Sequence, residues 1–390
     1  MDIERFKESP VGSLIPIVGT DGRTGDEYRH VAFVPDPLPE TLTLSSQTWN
    51  TVSKANYALG KLRQGSSLIP NPALLRRPTL RREAQSTSAL EGTFAPMEDV
   101  IAADVADGGP RSIAIREILN YVTAAELGFA SVSEAPIITQ LLCNLHALLV
   151  DGTEADGPQA GRIRDIPVAI GARGGSIFDA RFVPMPPGLS LESGLRDLTS
   201  WVESTTPDKL DPVVTAAMAH YQFETLHPFN DGNGRIGRLL IVLQLIQNDM
   251  LDEPLLTVSP WFEGRRESYQ EALANVSATG DWDAWVAFFA RGIESSANDT
   301  AARLLRLLEV QGDSQQLLRD AGVRGVARDI VDLLIRDPFV TVPHVARETS
   351  MTYQAVSNAF AKLEGLGILE PLPGTTPRTY RAPAVLRATL

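Results

Sequence analysis

HPFNDGNGRIGR, His227 to Arg238, separates two apolar segments, VVTAAMAHYQFETL (213–226) and LLIVLQLI (239–246). Proline disfavours helical geometry at the residue before it, so a helix ending near Leu226 delivers the imidazole of His227 into a loop. The small residues Asn230, Asp231, Gly232, Asn233 and Gly234 let consecutive backbone N–H groups converge just ahead of a second helix. A nest of that kind at a helix N-terminus binds phosphate. Arg235 and Arg238, three apart on the first turns of that helix, can grip successive phosphates from one side. Asp231 offers one hard oxygen, which suffices for Mg²⁺ when substrate phosphates and water complete the octahedron. Histidine titrates near neutrality, so His227 can take a proton from an attacking hydroxyl beside a bound α-phosphate. A polar turn capping a buried helix is the bland alternative; base, acid, glycines and paired arginines in one short segment argue against it. No Gly-Lys-Ser/Thr follows, so this is not a Walker loop.

Around this segment the chain reads as helical. Val214, Ala217, Met218 and Tyr221 fall at i, i+3, i+4 and i+7, as do Ile138, Leu141, Leu142 and Leu145, giving each helix one apolar face. Leu44 to Gln64 and Ser112 to Leu127 carry alanine, leucine and charged residues with few breakers. Residues 162–187, RIRDIPVAIGARGGSIFDARFVPMPP, break the pattern: β-formers flank a Gly-Gly and prolines close the segment, as in a β-hairpin flap. Trp282 to about Ala321 predicts one or two long helices leading away from the main body. From Val326 a short helix, a helix over 342–349, a tight turn, a helix over 352–366 and a turn-rich tail describe a winged helix-turn-helix. Val356, Phe360 and Leu363 should face its core, leaving Tyr353, Gln354, Ser357 and Asn358 exposed.

The fold class is therefore mainly α. The expected units are an N-terminal helical region over 1–110, a helical core with its flap over 111–295, a helical linker over 296–325 and the winged unit over 326–390.

The 390 residues carry a net charge of −13, which opposes nonspecific attraction to phosphate backbones. Any phosphate site must be local. Cys143 is the one cysteine, so an intrachain disulfide and a Cys-rich zinc site are excluded; it reads as core filler. MDIERFKESP lacks a secretory pattern and no apolar run reaches membrane-spanning length, so a cytoplasmic protein with no membrane partner is expected.

The 227–238 segment resembles the Fic family, whose signature HPFx(D/E)GNGRxxR it matches at every fixed position. The resemblance implies a helical Fic core that binds ATP with Mg²⁺. His227 would be the base and Asp231 the metal ligand. Asn233 and the loop amides would form the α/β-phosphate pocket, within a nucleotide segment that includes Asn230, Gly232, Gly234 and Gly237. Arg235 would hold the β-phosphate and Arg238 the γ-phosphate. Relatives that act as kinases carry lysine where this chain has Gly234, so the resemblance favours transfer of AMP to a Ser, Thr or Tyr hydroxyl of a protein. The flap near Ile177 to Phe182 would hold that protein by strand addition. Thr87, Glu91 and Gly92 match the inhibitory pattern (S/T)xxxE(G/N), which implies that Glu91 pairs with Arg238, blocks the γ-phosphate clamp and, in some relatives, helps remove AMP. A capping box at Ser88 and Glu91 is the alternative, but Gly92, Thr93, Phe94, Ala95 and Pro96 are poor helix-starting material. A helix from about Pro72 that stops at Gly92 fits better.

Tyr269 resembles the aromatic position that lines the adenine pocket. Trp282 and Trp285 read as core, and His30, His146, His220 and His344 have no partner spacing that assigns them a role. A nucleotide-sensing DNA-binding regulator is the second reading. The winged unit has nearly balanced charge and few side chains for base reading, which favours target docking or a homodimer over DNA. An inactive nucleotide binder ranks last, because every catalytic position is intact.

Overall fold

The computed structural model describes residues 1–21, 25–67, 73–105, 112–171, 176–373 and 377–389. In chain order these form α1 (Ile3–Phe6), β1 (Gly12–Thr20), β2 (Glu27–Pro35), α2 (Ser46–Ser67), α3 (Ala73–Glu91), α4 (Met97–Val105), α5 (Ile113–Val132) and α6 (Thr139–Val150). Then follow a 3₁₀ turn (Ile177–Asp179), α7 (Leu189–Ser204), α8 (Pro212–Leu226), α9 (Asn233–Gln247), α10 (Ser259–Glu263), α11 (Arg266–Thr279) and α12 (Trp282–Asp320). The C-terminal part contains α13 (Val326–Arg336), β3 (Phe339–Thr341), α14 (Val342–Thr349), α15 (Tyr353–Gly365), β4 (Glu370–Pro371), β5 (Thr379–Arg381) and α16 (Pro383–Thr389). The architecture is mainly α. No helix among the described residues is long and apolar enough to cross a membrane.

Helices α8 and α9, on either side of the 227–238 segment, lie at the centre. Both are buried nearly all round, so the single apolar face expected for α8 is a buried cylinder in which small residues such as Ala216, Ala217 and Ala219 admit close neighbours. Leu141, Leu142 and Leu145 of α6 enter the same core, whereas Ile138 is its exposed N-cap residue. Cys143 is core filler, as expected.

The N-terminal region is not wholly helical. β1 and β2 pair antiparallel from Gly12↔Pro35 to Thr20↔Glu27, and Ile17, Tyr28 and Ala32 pack on Ile177, Ala180 and Val183 of the flap. Among the described residues the flap is closed by a single antiparallel bridge, Ile170↔Phe182, rather than by a ladder. Pro167, Pro184, Pro186 and Pro187 supply no N–H donors, which limits how far pairing extends. Its Gly-Gly tip, 172–175, lies outside the described residues. Ile177 is buried and the N–H of Phe33 donates to the Val183 carbonyl, so the hairpin already backs part of the segment proposed for strand addition.

α12 is one helix, and it corrects the expectation of a segment leading away. Trp285, Phe289, Ile293, Ala297, Thr300, Leu304 and Leu307 keep one face buried across the 295/296 boundary, and α12 packs along α2. Beyond it, α13, α14 and α15 adjoin a three-stranded sheet of order β3-β5-β4. Val356, Phe360 and Leu363 face the interior, and Tyr353, Gln354 and Asn358 are exposed. This unit docks on α3: Arg81 pairs with Asp337 at 2.9 Å with both side chains nearly inaccessible, and donates to the Arg336 carbonyl. Met97 and Ile101 of α4 meet Phe339 and Leu386 alongside.

Candidate active site

Pro228 forces α8 to stop at His227, which caps the helix in the left-handed region at φ 51° and ψ 61°. Its N–H still closes the last turn on Phe223 O at 2.9 Å. Because Nδ1 lies 3.2 Å from the Glu224 carbonyl, an acceptor, Nδ1 carries the proton and Nε2 presents the lone pair. Burial, then the nearby Arg164 guanidinium, pull the imidazole pKa down to about 4. It is neutral at physiological pH.

The loop that follows is pinned from inside. Asn233 accepts from Phe229 N–H at 2.8 Å and donates to Phe229 O at 2.7 Å, so both ends of the amide assigned to the phosphate pocket are spent on the loop's own backbone. Phe229 stacks on His146 at 4.1 Å, nearly parallel. His146 accepts from Gly161 N–H at Nδ1, which leaves Nε2–H to donate to Asp231 O at 3.1 Å. Gly232 is left-handed at φ 71°, and a Cβ there would meet Leu149 at 2.8 Å. Asn230 and Asp231 are exposed.

At the start of α9, Glu91 and the two arginines converge. Arg238 pairs with Glu91 at 2.5 Å and donates to Thr87 Oγ1 at 2.7 Å and Thr87 O at 3.0 Å. Arg235 spans Glu117 at 3.0 Å and Asp231 at 2.9 Å, and Thr93 donates to the same Glu117 oxygen. Buried Nε of Arg235 has no hydrogen-bond partner among the described residues. A Cβ added at Gly234 would collide with the Glu91 carboxylate and Arg238, and one at Gly237 with Glu224. Burial works against ionising Glu91, but Arg238, then Arg235 and His227, outweigh it and hold the carboxyl below its ordinary value. Desolvation works against charging Arg238, and Glu91 more than compensates, so its pKa is raised.

Behind this layer, His220 donates from Nδ1 to Gly237 O at 2.9 Å and accepts at Nε2 from Tyr269 OH at 2.7 Å. Tyr269, assigned above to the adenine pocket, is thus 4% exposed and packed against Phe262 and Trp285. Burial pushes Glu224 up to about 7, and drives His220 down to about 3. Since the folded value for His220 lies below the ordinary 6.5, the unfolded chain takes the proton first. The stability this group contributes is complete above pH 6.5 and declines by about 1.4 kcal/mol per pH unit as pH falls toward the folded value. Melting curves between pH 7 and 5 should therefore show a falling Tm, with a shallower slope for His220→Gln. An unchanged slope would remove His220 as a source.

The structure brings His227, Asp231, Gly234, Arg235, Arg238, Thr87 and Glu91 to one place, with Gly92 terminating α3 at φ 97°. Sequence reasoning missed His146, Arg164, Glu117 and Glu224. For His146 and Arg164 the reason is plain: their hydrogen bonds to the loop end on main-chain atoms, which leave no side-chain pattern to find.

The Fic/DOC family N-terminal model matches residues 49–130, and the Fic/DOC family model matches 136–245. Protein adenylyltransferase fic-1 of Caenorhabditis elegans is 35% identical over 142 residues, 36% of this chain and 25% of that protein. The chain thus spans about a quarter of that curated relative. In fold it is similar to the crystal structure of a Fic family protein from Desulfovibrio desulfuricans G20, with a TM-score of 0.56 and 22% identity over 87% of this chain and 97% of that one. Fic-1 (aa134–508) from C. elegans aligns with a TM-score of 0.50 and 22% identity over 65% and 72%. Residues 49–130 and 136–245 are thus a Fic/DOC family N-terminal region and a Fic/DOC family domain.

Proposed function

We propose that the chain transfers AMP from ATP to a Ser, Thr or Tyr hydroxyl of a protein and is held in check by Glu91. One observation carries this reading: a neutral imidazole, whose Nε2 has no hydrogen bond among the described residues, stands beside a helix N-terminus and two arginines, of which Arg238 already holds an anion, the Glu91 carboxylate. The relatives named protein adenylyltransferase support it.

The acceptor hydroxyl gives its proton to His227 Nε2 as its oxygen bonds to the α-phosphorus. The bond from that phosphorus to the oxygen bridging to the β-phosphate breaks, and pyrophosphate leaves with the electron pair. Arg235, Arg238 and the amides at the start of α9 stabilise the charge that builds on the phosphates. No cluster of three or more His, Cys, Asp or Glu among the described residues could hold a metal alone. The exposed Asp231 carboxylate at the mouth of the phosphate site fits Mg²⁺ that takes its other ligands from phosphate and water. Mg²⁺ held there would neutralise charge on the phosphates.

Under this reading residues 111–295 are the catalytic unit, the flap docks the target, and 326–390 serve docking or self-association rather than DNA binding. Glu91 would have to leave Arg238 before a γ-phosphate could take its place. Mass spectrometry of the Glu91→Gly protein incubated with ATP, Mg²⁺ and cell extract tests the reaction. An AMP adduct on a hydroxyl is expected; a different phosphate-linked group, or none, would refute it.

A further inference from the structure

Arg164 is among the largest fully buried side chains of the protein, yet each hydrogen bond described for its guanidinium ends on a main-chain carbonyl. Nε donates to His227 O at 2.7 Å, and one terminal nitrogen to Ile166 O at 3.0 Å. The other donates to Leu226 O at 3.3 Å and to Met185 O. The Arg164 backbone N–H takes Pro228 O at 2.9 Å. Burial lowers its pKa to about 10, which leaves it charged at neutral pH.

A cation at the C-terminus of α8 has a bland explanation, since the last carbonyls of a helix favour positive charge. That accounts for Leu226 and His227. It does not account for Ile166 and Met185, which lie on the two legs of the flap, outside α8. One planar fork therefore joins the catalytic histidine's backbone to both sides of the segment proposed to hold the target, with the Ile170↔Phe182 bridge further out on the same flap. In-line transfer is steeply sensitive to alignment, a 1 Å misplacement costing about 10²-fold.

We infer that Arg164 is a positioning residue for the transfer, fixing the His227 imidazole and the flap in a common frame so that base and acceptor hydroxyl arrive in register. This rests on the adenylyl-transfer reading above. It also places a positive charge near the imidazole, opposed by the hydrogen bond to the Glu224 carbonyl, by Glu91 of α3 and by Asp231 of the loop, with the Glu224 side chain 4.0 Å from Nδ1. The guanidinium thus has two separable effects, orientation through its hydrogen bonds and suppression of imidazolium through its charge.

Arg164→Met and Arg164→Lys, each made in the Glu91→Gly protein, separate them. Arg164→Met should lose tenfold or more in kcat for AMP transfer with KM for ATP unchanged, and its acid limb should move to higher pH. Arg164→Lys keeps the charge and not the fork, so the limb should stay and part of kcat return. An Arg164→Met protein that binds ATP and keeps the parent's kcat and pH profile overturns the inference. Should Arg164→Met fail to bind ATP, Arg164→Lys decides: reduced kcat at the parent's KM supports the role, and parental kcat overturns it. Hydrogen exchange reads the tie without activity. Faster exchange in 165–187 and 226–231 together in either variant supports it, and exchange unchanged in both segments overturns it even if the Glu91→Gly parent transfers no AMP, which alone would sink the functional reading.

Discussion

In a Glu91→Gly background, His227→Ala is expected to slow AMP transfer by about 10²–10⁴-fold, the contribution of a positioned general base, while ATP binds as in the parent. Separation of binding from chemistry follows from the geometry: the arginines and the start of α9 are built without the imidazole, whose Nδ1 turns back to its own helix. Alanine at φ 51° carries some backbone strain, because left-handed geometry is easy for glycine and asparagine and costly for most others. His227→Asn is the better-matched second variant, since it tolerates that backbone and has no basic nitrogen. Transfer of labelled AMP should be lost in both, with nucleotide affinity kept in both. Parental transfer rates in either variant would remove His227 from the role of base.

The opposite sign is expected for Glu91→Gly by itself. A charge-assisted hydrogen bond contributes about 1.5–3 kcal/mol, so freeing Arg238 should raise the initial rate at subsaturating ATP by roughly 10–100-fold. Some stability should be lost in exchange, because buried Arg238 gives up its counter-charge, but two features limit the loss. Glu91 occupies the last residue of α3, where the helix's carbonyl end disfavours a carboxylate, and Thr87 continues to hold Arg238 from the same helix through two hydrogen bonds. A faster rate in a variant that still melts cooperatively well above the assay temperature would show that the gain comes from the clamp. Equal rates for variant and parent would mean that Glu91 does not restrain the site.

The chemistry-bearing loop was legible because its signal is contiguous: Pro228 ends α8, the glycines permit the turn, and Arg235 and Arg238 follow at helical spacing. Glu91 was legible only through the resemblance, and its meeting with Arg238 needed the packing of α3 across α9. The remainder was hidden for physical reasons. Asn233 looks like a ligand residue by position, yet its amide satisfies Phe229, a bond that depends on the loop's closed shape. Tyr269 was read through the resemblance as lining the adenine pocket, and nothing in the sequence announced that its hydroxyl meets buried His220. Residues Gly12–Thr20 and Glu27–Pro35 gave no helical rhythm and were missed as a hairpin, since part of their apolar face finds its partner only at the flap, some 150 residues away.

The ion pair between Arg81 and Asp337 bears on how a minimal active fragment can be made. A chain cut before Val326 would strip Asp337 and the Arg336 carbonyl from the Arg81 guanidinium and open that buried seam of α3 to water. The same cut would bare Met97 and Ile101. Altered catalysis in that fragment would report injury to the helix that carries Glu91, and would say little about what the discarded residues recognise. Point changes on the outer surface of α15, at Tyr353, Gln354 or Asn358, leave that seam intact and are the cleaner way to ask.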